Sequence, residues 1–334
     1  MAVLVTGGAG FVGVNVVQAL LERGDAVVVL DAGDLPPGAA RALEPYKSRF
    51  ALERGSVLDA DNLGRIVRAH AVDRVIHAAA VTSGPTREAR DPASIVDVNL
   101  RGTINVLEAA REGAVARVLY VGSGAAYGES LYRLPRLYED SPSTPTTLYS
   151  ITKHAAERLC LRLKELWKLD LACVRLGTVI GPWERDTGAR DNFGTHTQLA
   201  AMAVAGKTAV LTSREIQRDW VYGVDVARAL AALLHAPVLR HTLYNVSSGV
   251  LWERPVERWC AALKRAFPKF EYRAASAEEQ ANIWYTDRDR GIMDVGRLAL
   301  DAGYTPQYPM DAAYAAYLEW IEKTPEFRAA SGRR

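Results

Sequence analysis

The first half of the chain alternates short runs of β-branched and other apolar residues with segments in which apolar residues recur every three or four positions. The short runs predict β-strands, and the periodic segments predict crossover helices. Strands are predicted over residues 2–6, 26–31, 74–77, 117–122 and 171–175. Helices are predicted over residues 11–23, 62–69 and 97–111. This alternation indicates an α/β fold in which a doubly wound parallel sheet is covered by helices on both faces.

The alternation weakens after residue 176. Gly181-Pro182 interrupts the chain, and residues 183–194 are polar and charged, which is typical of a loop that faces a substrate. Helical periodicity returns over residues 196–205, 224–235, 256–266 and 310–322. We therefore expect a sheet domain over residues 1–176 and a smaller substrate-binding region over residues 177–330. Some later segments, such as 224–246, are expected to return to the sheet domain.

Composition narrows the classes of partner. The 334 residues are 49% hydrophobic and 24% charged, which are values of a globular protein. The 41 basic and 39 acidic residues nearly cancel, so no overall field favours nucleic acid or a membrane surface. No apolar run reaches the roughly 18 residues of a membrane helix. We expect a small-molecule partner, with no nucleic acid and no membrane.

The chain start and the cysteines indicate the compartment. The apolar start at Met1 leads straight into a glycine-rich turn, so it predicts a first strand instead of a signal peptide. Cys160, Cys173 and Cys260 lie far apart, without the spacing of a zinc or CxxC site. These features predict a cytoplasmic protein with structural thiols and no metal.

A glycine motif, Thr-Gly-Gly-Ala-Gly-Phe-Val-Gly, follows the first predicted strand and opens the first predicted helix. This is the context that a dinucleotide-binding fingerprint requires, although an ordinary tight turn is the alternative. Gly7 permits the turn, Gly10 lets the backbone approach a pyrophosphate, and Gly13 allows close packing. Phe11 and Val12 begin the helix, whose N-terminal N–H groups favour the bound anion.

An acidic residue indicates which dinucleotide binds. Asp31 ends the second predicted strand, where its carboxylate can accept hydrogen bonds from both ribose hydroxyls and would repel a 2′-phosphate. Residues 32–34 contain no arginine that would receive such a phosphate, so the sequence predicts NAD. Asp59 follows a third apolar strand and is placed either to contact adenine or to cap the next helix.

Tyr149 and Lys153 are four residues apart on a segment whose apolar face carries Leu159, Leu163 and Leu166. A helix there places the phenol beside the ammonium. A free tyrosine has a pKa near 10, so the ammonium and an oxidised nicotinamide are needed to stabilise its phenolate. Tyr149 can then remove the proton of an alcohol as hydride leaves the same carbon. The alternative is a surface pair that shares one helix face.

These residues stand among further motifs in a recognisable order. The motifs are Gly7, Gly10 and Gly13; Asp31; His77-Ala78-Ala79-Ala80; Asn99 with Gly102-Thr103; residues 123–128; Tyr149 and Lys153; Gly181-Pro182; and residues 218–222. Together they make the chain, from Val3 to about Tyr244, resemble the extended short-chain dehydrogenase/reductase family, in its NAD-dependent epimerase/dehydratase branch.

The resemblance implies a Rossmann fold, NAD as cofactor and a set of roles. Tyr149 is implied to be the catalytic acid/base, and Lys153 to tune it and hold the nicotinamide ribose. Ser123 is implied to hydrogen-bond the reacting oxygen, while Ala78 and Ala79 line the cofactor cleft. The family also implies a homodimer formed through the helices predicted over residues 97–111 and 149–167.

Two sequence features bear on the reaction. Enzymes of the branch that dehydrate or decarboxylate sugar nucleotides carry a carboxylate where this chain has Gly124-Ala125-Ala126, so dehydration is disfavoured. Arg218 resembles the arginine that holds a nucleotide diphosphate, although an ion pair with Asp219 or Asp225 is the alternative. Thr178 replaces the asparagine that usually faces the diphosphate and can donate one hydrogen bond, which weakens the analogy with UDP-sugar enzymes.

Three functions follow from these residues. The first is epimerisation of a UDP-hexose-like sugar nucleotide through a transient ketone. The second is NAD-dependent dehydrogenation of a free sugar acid or other small hydroxy acid, with Arg185 and Arg190 clamping its carboxylate and Thr82 and Ser83 meeting its polar groups. The third is a catalytically idle binding protein on the same fold, against which the presence of Ser123, Tyr149 and Lys153 argues.

Overall fold

Seven parallel strands form the central sheet in a computed structural model of the protein, which describes residues 1–191, 193–212, 214–283 and 288–331. The described strands are β1 (Ala2–Thr6), β2 (Ala26–Asp31), β3 (Phe50–Arg54), β4 (Arg74–His77), β5 (Arg117–Ser123), β6 (Arg136–Leu137), β7 (Leu171–Leu176), β8 (Thr178–Ile180), β9 (Thr208–Leu211), β10 (Trp220–Tyr222), β11 (Leu243–Val246), β12 (Glu271–Ala274) and β13 (Ile292–Met293). The sheet order is β11-β7-β5-β4-β1-β2-β3, and each neighbouring pair is parallel.

Helices connect these strands. The described α-helices are α1 (Phe11–Arg23), α2 (Pro37–Leu43), α3 (Ala60–Ala69), α4 (Pro85–Arg90), α5 (Pro92–Val96), α6 (Gly102–Glu112), α7 (Ser130–Arg133), α8 (Leu148–Trp167), α9 (Thr195–Val204), α10 (Gly223–His235), α11 (Pro255–Ala266), α12 (Gly296–Ala302), α13 (Met310–Lys323) and α14 (Pro325–Ser331). A π-helical turn (Asp97–Arg101) and two 3₁₀ turns (Glu44–Arg49 and Gly124–Tyr127) complete the description.

Helices cover both faces of the sheet, as the alternating pattern predicts. On one face, α1 and α10 bury side chains such as Leu20 and Leu230 against the strands. On the other face, α3, α6 and α8 bury Ile66, Leu107 and Cys160. Because both faces are covered, the five predicted strands are rich in apolar residues, which explains why they stood out in the sequence. The two edge strands, β3 and β11, were not among those five.

Most boundaries of the elements that were predicted from the sequence match the observed boundaries within two residues. The helix predicted over 97–111 differs, because it begins as the π-helical turn and becomes α-helical only at Gly102. Inside that turn, the Asn99 amide accepts a hydrogen bond from the Val81 N–H and donates one to the Val81 carbonyl. Asn99 therefore fixes the loop after β4, and π-helical turns occur often at such functional positions.

A separate hydrophobic cluster, outside the two that cover the sheet, holds the C-terminal region together. It is built from α9, α11 and α13, and the Trp259 and Tyr317 rings stack with their centroids 5.2 Å apart. Two short parallel pairs, β10 with β8 and β12 with β9, belong to this region. By contrast, β11 pairs with β7 and α10 packs on α1, so this part of the chain lies in the sheet layer.

Two features are absent from the described ranges. None of their helices is both long enough and apolar enough to cross a membrane. The same residues include no cluster of three or more His, Cys, Asp or Glu side chains placed to hold a metal ion.

Candidate active site

One large cavity of about 910 Å³ lies at the carboxyl ends of β1, β2, β4, β5 and β7. Ligands of open parallel sheets bind at this edge. The residues predicted from the sequence that line it are Gly7, Gly10, Phe11, Val12, Gly13, Asp31, Ala78, Ala79, Thr82, Ser83, Ser123, Tyr149, Lys153, Thr178, Arg185 and Arg218. The structure thus gathers all but one of the predicted site residues around one space.

The three glycines of the motif differ in what surrounds them. Gly7 has φ +71°, and a Cβ there would come within 2.7 Å of the Ala79 backbone. A Cβ on Gly13 would come within 2.1 Å of the Gly7 carbonyl oxygen, so α1 can approach the turn only without a side chain. A Cβ on Gly10 would meet only that same oxygen, at 3.2 Å. Gly10 therefore leaves backbone open toward the cavity, which fits a bound pyrophosphate.

Asp31 is fixed at the end of β2 by two backbone donors. Its Oδ2 accepts a hydrogen bond from the Ala9 N–H at 2.9 Å, and its Oδ1 accepts one from the Gly33 N–H at 2.9 Å. An ionised carboxylate has about four acceptor positions, so both oxygens can still accept ribose hydroxyls. The position and orientation of Asp31 fit the adenosine ribose of NAD.

Asp59 is the predicted site residue that lies outside the cavity lining. Its carboxylate instead accepts a hydrogen bond from the Asn62 N–H at 3.0 Å and caps the N-terminus of α3. The structure thus shows the capping role, and the contact with adenine stays a prediction. Ser56 and Val57, just before Asp59, line the cavity in its place.

Tyr149 lies in the first turn of α8. This helix begins with a reciprocal capping box, in which Thr147 and Ser150 each accept a hydrogen bond from the other's backbone N–H. The Tyr149 N–H donates to Glu88 Oε1 at 3.2 Å, which ties this end of α8 to α4. The positive end of the helix dipole thus lies beside the Tyr149 residue and favours negative charge there.

Lys153 follows one turn later and is buried. Its ammonium donates a hydrogen bond to the Val121 carbonyl oxygen in β5 at 2.9 Å. Burial lowers the pKa of Lys153 to about 8, because the charged form loses its water. Since β5 ends at Ser123, this bond ties the helix carrying Tyr149 to the strand carrying the serine.

Ser123 caps the 3₁₀ turn that follows β5. Its Oγ accepts a hydrogen bond from the Ala125 N–H at 3.1 Å. This bond uses a lone pair of the hydroxyl and leaves its proton for an oxygen in the cavity. Ser123, Tyr149 and Lys153 therefore line the same cavity, from the end of β5 and from the helix that is bonded to β5.

Besides Arg185 and Arg190, three further arginines line the same cavity: Arg218, Arg288 and Arg290. Arg218 precedes β10 and lies beside the Trp220 ring, 5.9 Å from its centroid. Arg288 and Arg290 precede β13, which pairs with β6 and so brings them to the cavity. Sequence reasoning missed these two, although the run Arg288-Asp289-Arg290 is a concentration of charge before a glycine. The cluster favours an anionic ligand.

The carboxylates proposed as alternative partners of Arg218 have other contacts. Asp219 accepts hydrogen bonds from the Ser248 hydroxyl and the Met293 N–H, both at 2.7 Å. Asp225 accepts from the Tyr304 hydroxyl and from two backbone N–H groups in the chain segment that follows it. The structure therefore gives these carboxylates architectural roles and leaves Arg218 in the cavity wall.

Arg185 is a predicted substrate residue whose observed contacts lie elsewhere. Its Nη2 donates to the carbonyl oxygens of Ala9, at 3.1 Å, and Asp34, at 2.8 Å. These residues follow β1 and β2, and β2 lies three strands from β5, which is about 14 Å across the sheet. Arg185 therefore belongs to the cofactor end, because its loop folds back over the glycine turn. Arg190 likewise pairs with Glu184 at 3.0 Å.

The remaining predicted substrate residues, Thr82, Ser83 and Thr178, make hydrogen bonds within the protein. The Thr82 N–H donates to the Ala189 carbonyl at 2.8 Å. The Ser83 hydroxyl donates to Glu88 Oε1 at 3.2 Å, and the Thr178 N–H donates to the Asp219 carbonyl at 3.2 Å. All three line the cavity, so their placement is compatible with substrate contact.

Comparison with known proteins agrees with this site. The family model described as the NAD dependent epimerase/dehydratase family matches residues 3–247. The chain belongs to this family. It is an enzyme of the extended short-chain dehydrogenase/reductase type with a Rossmann sheet, and NAD is its cofactor.

Two curated relatives in this family are UDP-glucose 4-epimerases. The protein of Mycolicibacterium smegmatis is 31% identical over 256 residues, which cover 75% of this chain and 78% of the relative. That of Halalkalibacterium halodurans is 35% identical over 181 residues, which cover 54% of this chain and 52% of the relative. The match thus spans about half the length of the second relative.

A solved structure shows the same fold. The UDP-glucose 4-epimerase of Thermus thermophilus, in complex with NAD, superposes with a TM-score of 0.76 at 26% identity. The superposition covers 96% of this chain and 99% of that chain. The family fold therefore extends beyond residues 3–247 and includes the C-terminal region that supplies the arginines.

Proposed function

We propose that the enzyme interconverts two UDP-linked hexoses that differ in configuration at C4, through a transient 4-keto sugar. One observation carries this proposal: Ser123, Tyr149 and Lys153 line the same cavity as two arginines, Arg218 and Arg290. A proton-transfer site and a site for a diphosphate are thus available to one substrate molecule. The relatives named UDP-glucose 4-epimerase support the same substrate class.

Each residue at the reacting end has a chemical task. The Tyr149 phenolate removes the proton of the C4 hydroxyl, and Ser123 donates a hydrogen bond to the same oxygen. Lys153 stabilises the phenolate by its charge. Bound NAD supplies a reversible hydride acceptor. When the keto sugar presents its opposite face, the hydride would return to C4 and the Tyr149 hydroxyl returns the proton to the oxygen, so the epimer forms without net oxidation.

The carboxylates near Ser123 argue against a dehydratase reaction. Glu129 is a carboxylate of the cavity lining, but it holds Arg288 with two hydrogen bonds of 3.0 and 2.8 Å. The hydrogen bonds from Arg288 lower the pKa of Glu129 below its ordinary value, so it is a poor general acid. The neighbouring residues 124–126 contain no other carboxylate.

In this proposal the arginines bind the diphosphate. A guanidinium offers several N–H donors in a plane, which matches the oxygens of a phosphate. Arg290 donates to the Tyr132 hydroxyl at 3.4 Å and remains in the cavity wall with its Nε buried. The diphosphate would neutralise this cluster and hold the sugar toward Tyr149.

A substrate panel tests the proposal. The purified enzyme is incubated with UDP-glucose, UDP-galactose, UDP-glucuronate, free sugar acids and small hydroxy acids, and products are identified by NMR while NADH is followed by its absorbance. We expect a C4 epimer of a UDP-sugar and no accumulation of NADH. Stoichiometric NADH with a sugar acid or hydroxy acid would instead establish the dehydrogenase alternative.

We further propose a homodimer formed by the surface of α5 and α8. Val96, Ile151 and Leu166 are apolar side chains on these helices that are 39%, 44% and 55% exposed in the single chain. Burial of such side chains favours association. Light scattering tests this directly, and the Ile151→Glu variant is expected to be monomeric.

A reducing, cytoplasmic location is also proposed. Cys160, Cys173 and Cys260 are all buried, free thiols. Unpaired structural cysteines are typical of reducing compartments. Cell fractionation tests this location.

A further inference from the structure

Residues 185–191 form a strap between the two walls of the cofactor end of the cavity. One wall is the turn after β1 together with the loop after β2, and the other is the loop after β4. Five strap residues line the cavity: Arg185, Thr187, Ala189, Arg190 and Asp191. A dinucleotide that lies along this edge of the sheet must therefore pass beneath the strap.

The first attachment of the strap is Arg185. Its Nη2 bonds to the carbonyl oxygens of Ala9, in the turn after β1, and Asp34, in the loop after β2. Its Nε is buried and has no hydrogen-bond partner within the described residues. Burial lowers the pKa of Arg185, and the charge of the Asp31 carboxylate opposes this shift. Arg185 thus holds an unused charged donor beside the residue that fits the adenosine ribose.

The second attachment centres on Asp191. Its Oδ2 accepts a hydrogen bond from the Gly84 N–H at 2.7 Å, and its Oδ1 accepts one from Arg87 Nε at 2.7 Å. The Asp191 and Arg87 side chains are only about one-fifth exposed. Next to them, the Thr82 N–H bonds to the strap backbone. We call the Asp191–Arg87 ion pair the latch.

The base of the strap is also held in place. Trp183 has φ +74°, a conformation that bulky residues rarely adopt, and its indole packs among Val14, Ala39 and Trp320. The indole N–H donates to Gln18 of α1 at 2.8 Å. The surrounding packing therefore maintains a sharp change of chain direction immediately before the strap.

We propose that the strap retains bound NAD: Arg185 binds the cofactor through its Nε–H, and the latch opens before NAD leaves. Arg185 is then a cofactor-binding residue supplied by the C-terminal half of the chain. The latch sets the rate of cofactor exchange because the strap is attached to both walls. An enzyme that completes its reaction without net oxidation can keep its cofactor in this way, whereas the exchange itself is independent of the sugar.

Cofactor exchange without any sugar present tests the proposal. Each protein is loaded with NAD, freed of excess cofactor and mixed with isotopically labelled NAD, and the mass of the bound cofactor is followed by native mass spectrometry. Asp191→Asn keeps an oxygen for the Gly84 N–H and removes the charge facing Arg87. We expect NAD to exchange about tenfold faster or more in this variant, since charge-assisted hydrogen bonds are the strong ones.

Arg185→Ala is expected to weaken NAD binding, measured by titration calorimetry, by about tenfold. Asp311→Asn is the matched control for Asp191→Asn, because it likewise removes a carboxylate that faces an arginine, Arg258, but on the surface of the C-terminal region. It is expected to exchange NAD at the wild-type rate. Arg87→Gln breaks the latch from its other side and provides a second variant if Asp191→Asn does not fold.

Wild-type exchange in both latch variants would overturn the latch, and so would equal acceleration in Asp311→Asn. Unchanged NAD affinity in Arg185→Ala would overturn the cofactor contact. Because these measurements need no sugar substrate, a failure of the proposed epimerase activity would leave their outcome unaffected. Conversely, rapid NAD exchange in the wild-type enzyme would contradict the strap without excluding epimerisation.

Discussion

Arg175 in β7 makes two 2.7 Å hydrogen bonds to the carboxylate of Glu157 in α8, and both side chains are almost completely buried. Glu157 lies one turn beyond Lys153, so this ion pair fixes α8 against the sheet. The Arg175 guanidinium also lies 4.2 Å from the centroid of the Tyr127 ring, in the turn that Ser123 caps. One buried pair thus connects the helix and the turn that carry the reacting groups.

Removing one partner of this pair should destabilise the enzyme strongly. Glu157→Gln leaves the Arg175 charge buried without its carboxylate, which typically costs about 3–5 kcal/mol. Glu165→Gln, on the same helix, breaks an exposed pair with Arg162 and should cost less than about 1 kcal/mol. Urea unfolding of both variants measures the difference. Equal losses would show that the buried pair has no special role.

Lys153→Met should separate stability from catalysis. Replacing the buried ammonium by an apolar side chain of similar length should leave the free energy of unfolding at pH 7 unchanged or higher. Turnover should fall by about 10²–10⁴-fold, because the charge that supports the Tyr149 phenolate is lost. Unfolding curves and kcat on the same samples measure both. A variant with wild-type turnover would exclude the proposed role of Lys153.

The pH dependence of stability carries a signature of the same residue. The pKa of Lys153 is about 8 in the folded protein and near 10.5 when unfolded, so the unfolded chain binds more protons between these values. The wild-type free energy of unfolding should therefore rise with pH in this window, by at most about 1.4 kcal/mol per pH unit from this group. Lys153→Met should lack this contribution, and identical slopes for both proteins would contradict the assignment.

Two glycine substitutions should have different consequences. Gly13→Ala places a Cβ within 2.1 Å of the Gly7 carbonyl oxygen, so it should lower the melting temperature of the NAD-free protein. Gly10→Ala meets only that oxygen, at 3.2 Å, and should fold nearly normally while binding NAD weakly. Thermal melting and NAD titration compare the variants. Normal NAD affinity in Gly10→Ala would contradict the pyrophosphate position.

Arg290→Ala should affect substrate binding more than turnover. If this arginine holds the diphosphate in both ground and transition states, KM should rise about tenfold or more with little change in kcat. Arg228→Ala is a suitable control, because Arg228 is a partly buried residue outside the cavity lining that contacts Gln307 and the Tyr308 ring. A fall in kcat at constant KM would instead place Arg290 at the reacting carbon.

Local patterns were sufficient to predict five of the seven sheet strands, the glycine turn, and the positions of Asp31, Tyr149 and Lys153. In each case the relevant groups lie within one strand–helix unit, where spacing dictates geometry. The contacts of Arg185 could not be obtained in this way, because its partner Ala9 lies 176 residues earlier in the chain. Arg288 reaches the cavity only because β13 pairs with β6, a contact between distant segments that periodicity does not reveal.

The fate of the hydrogen at C4 tests the central proposal most directly. UDP-glucose carrying deuterium at C4 is incubated with the enzyme in ordinary water, and the product is examined by NMR. If Tyr149 moves only the hydroxyl proton and hydride returns to the same carbon, UDP-galactose should form with deuterium still at C4. A product whose C4 position carries hydrogen from water, or an oxidised sugar released with deuterated NADH, would contradict the account.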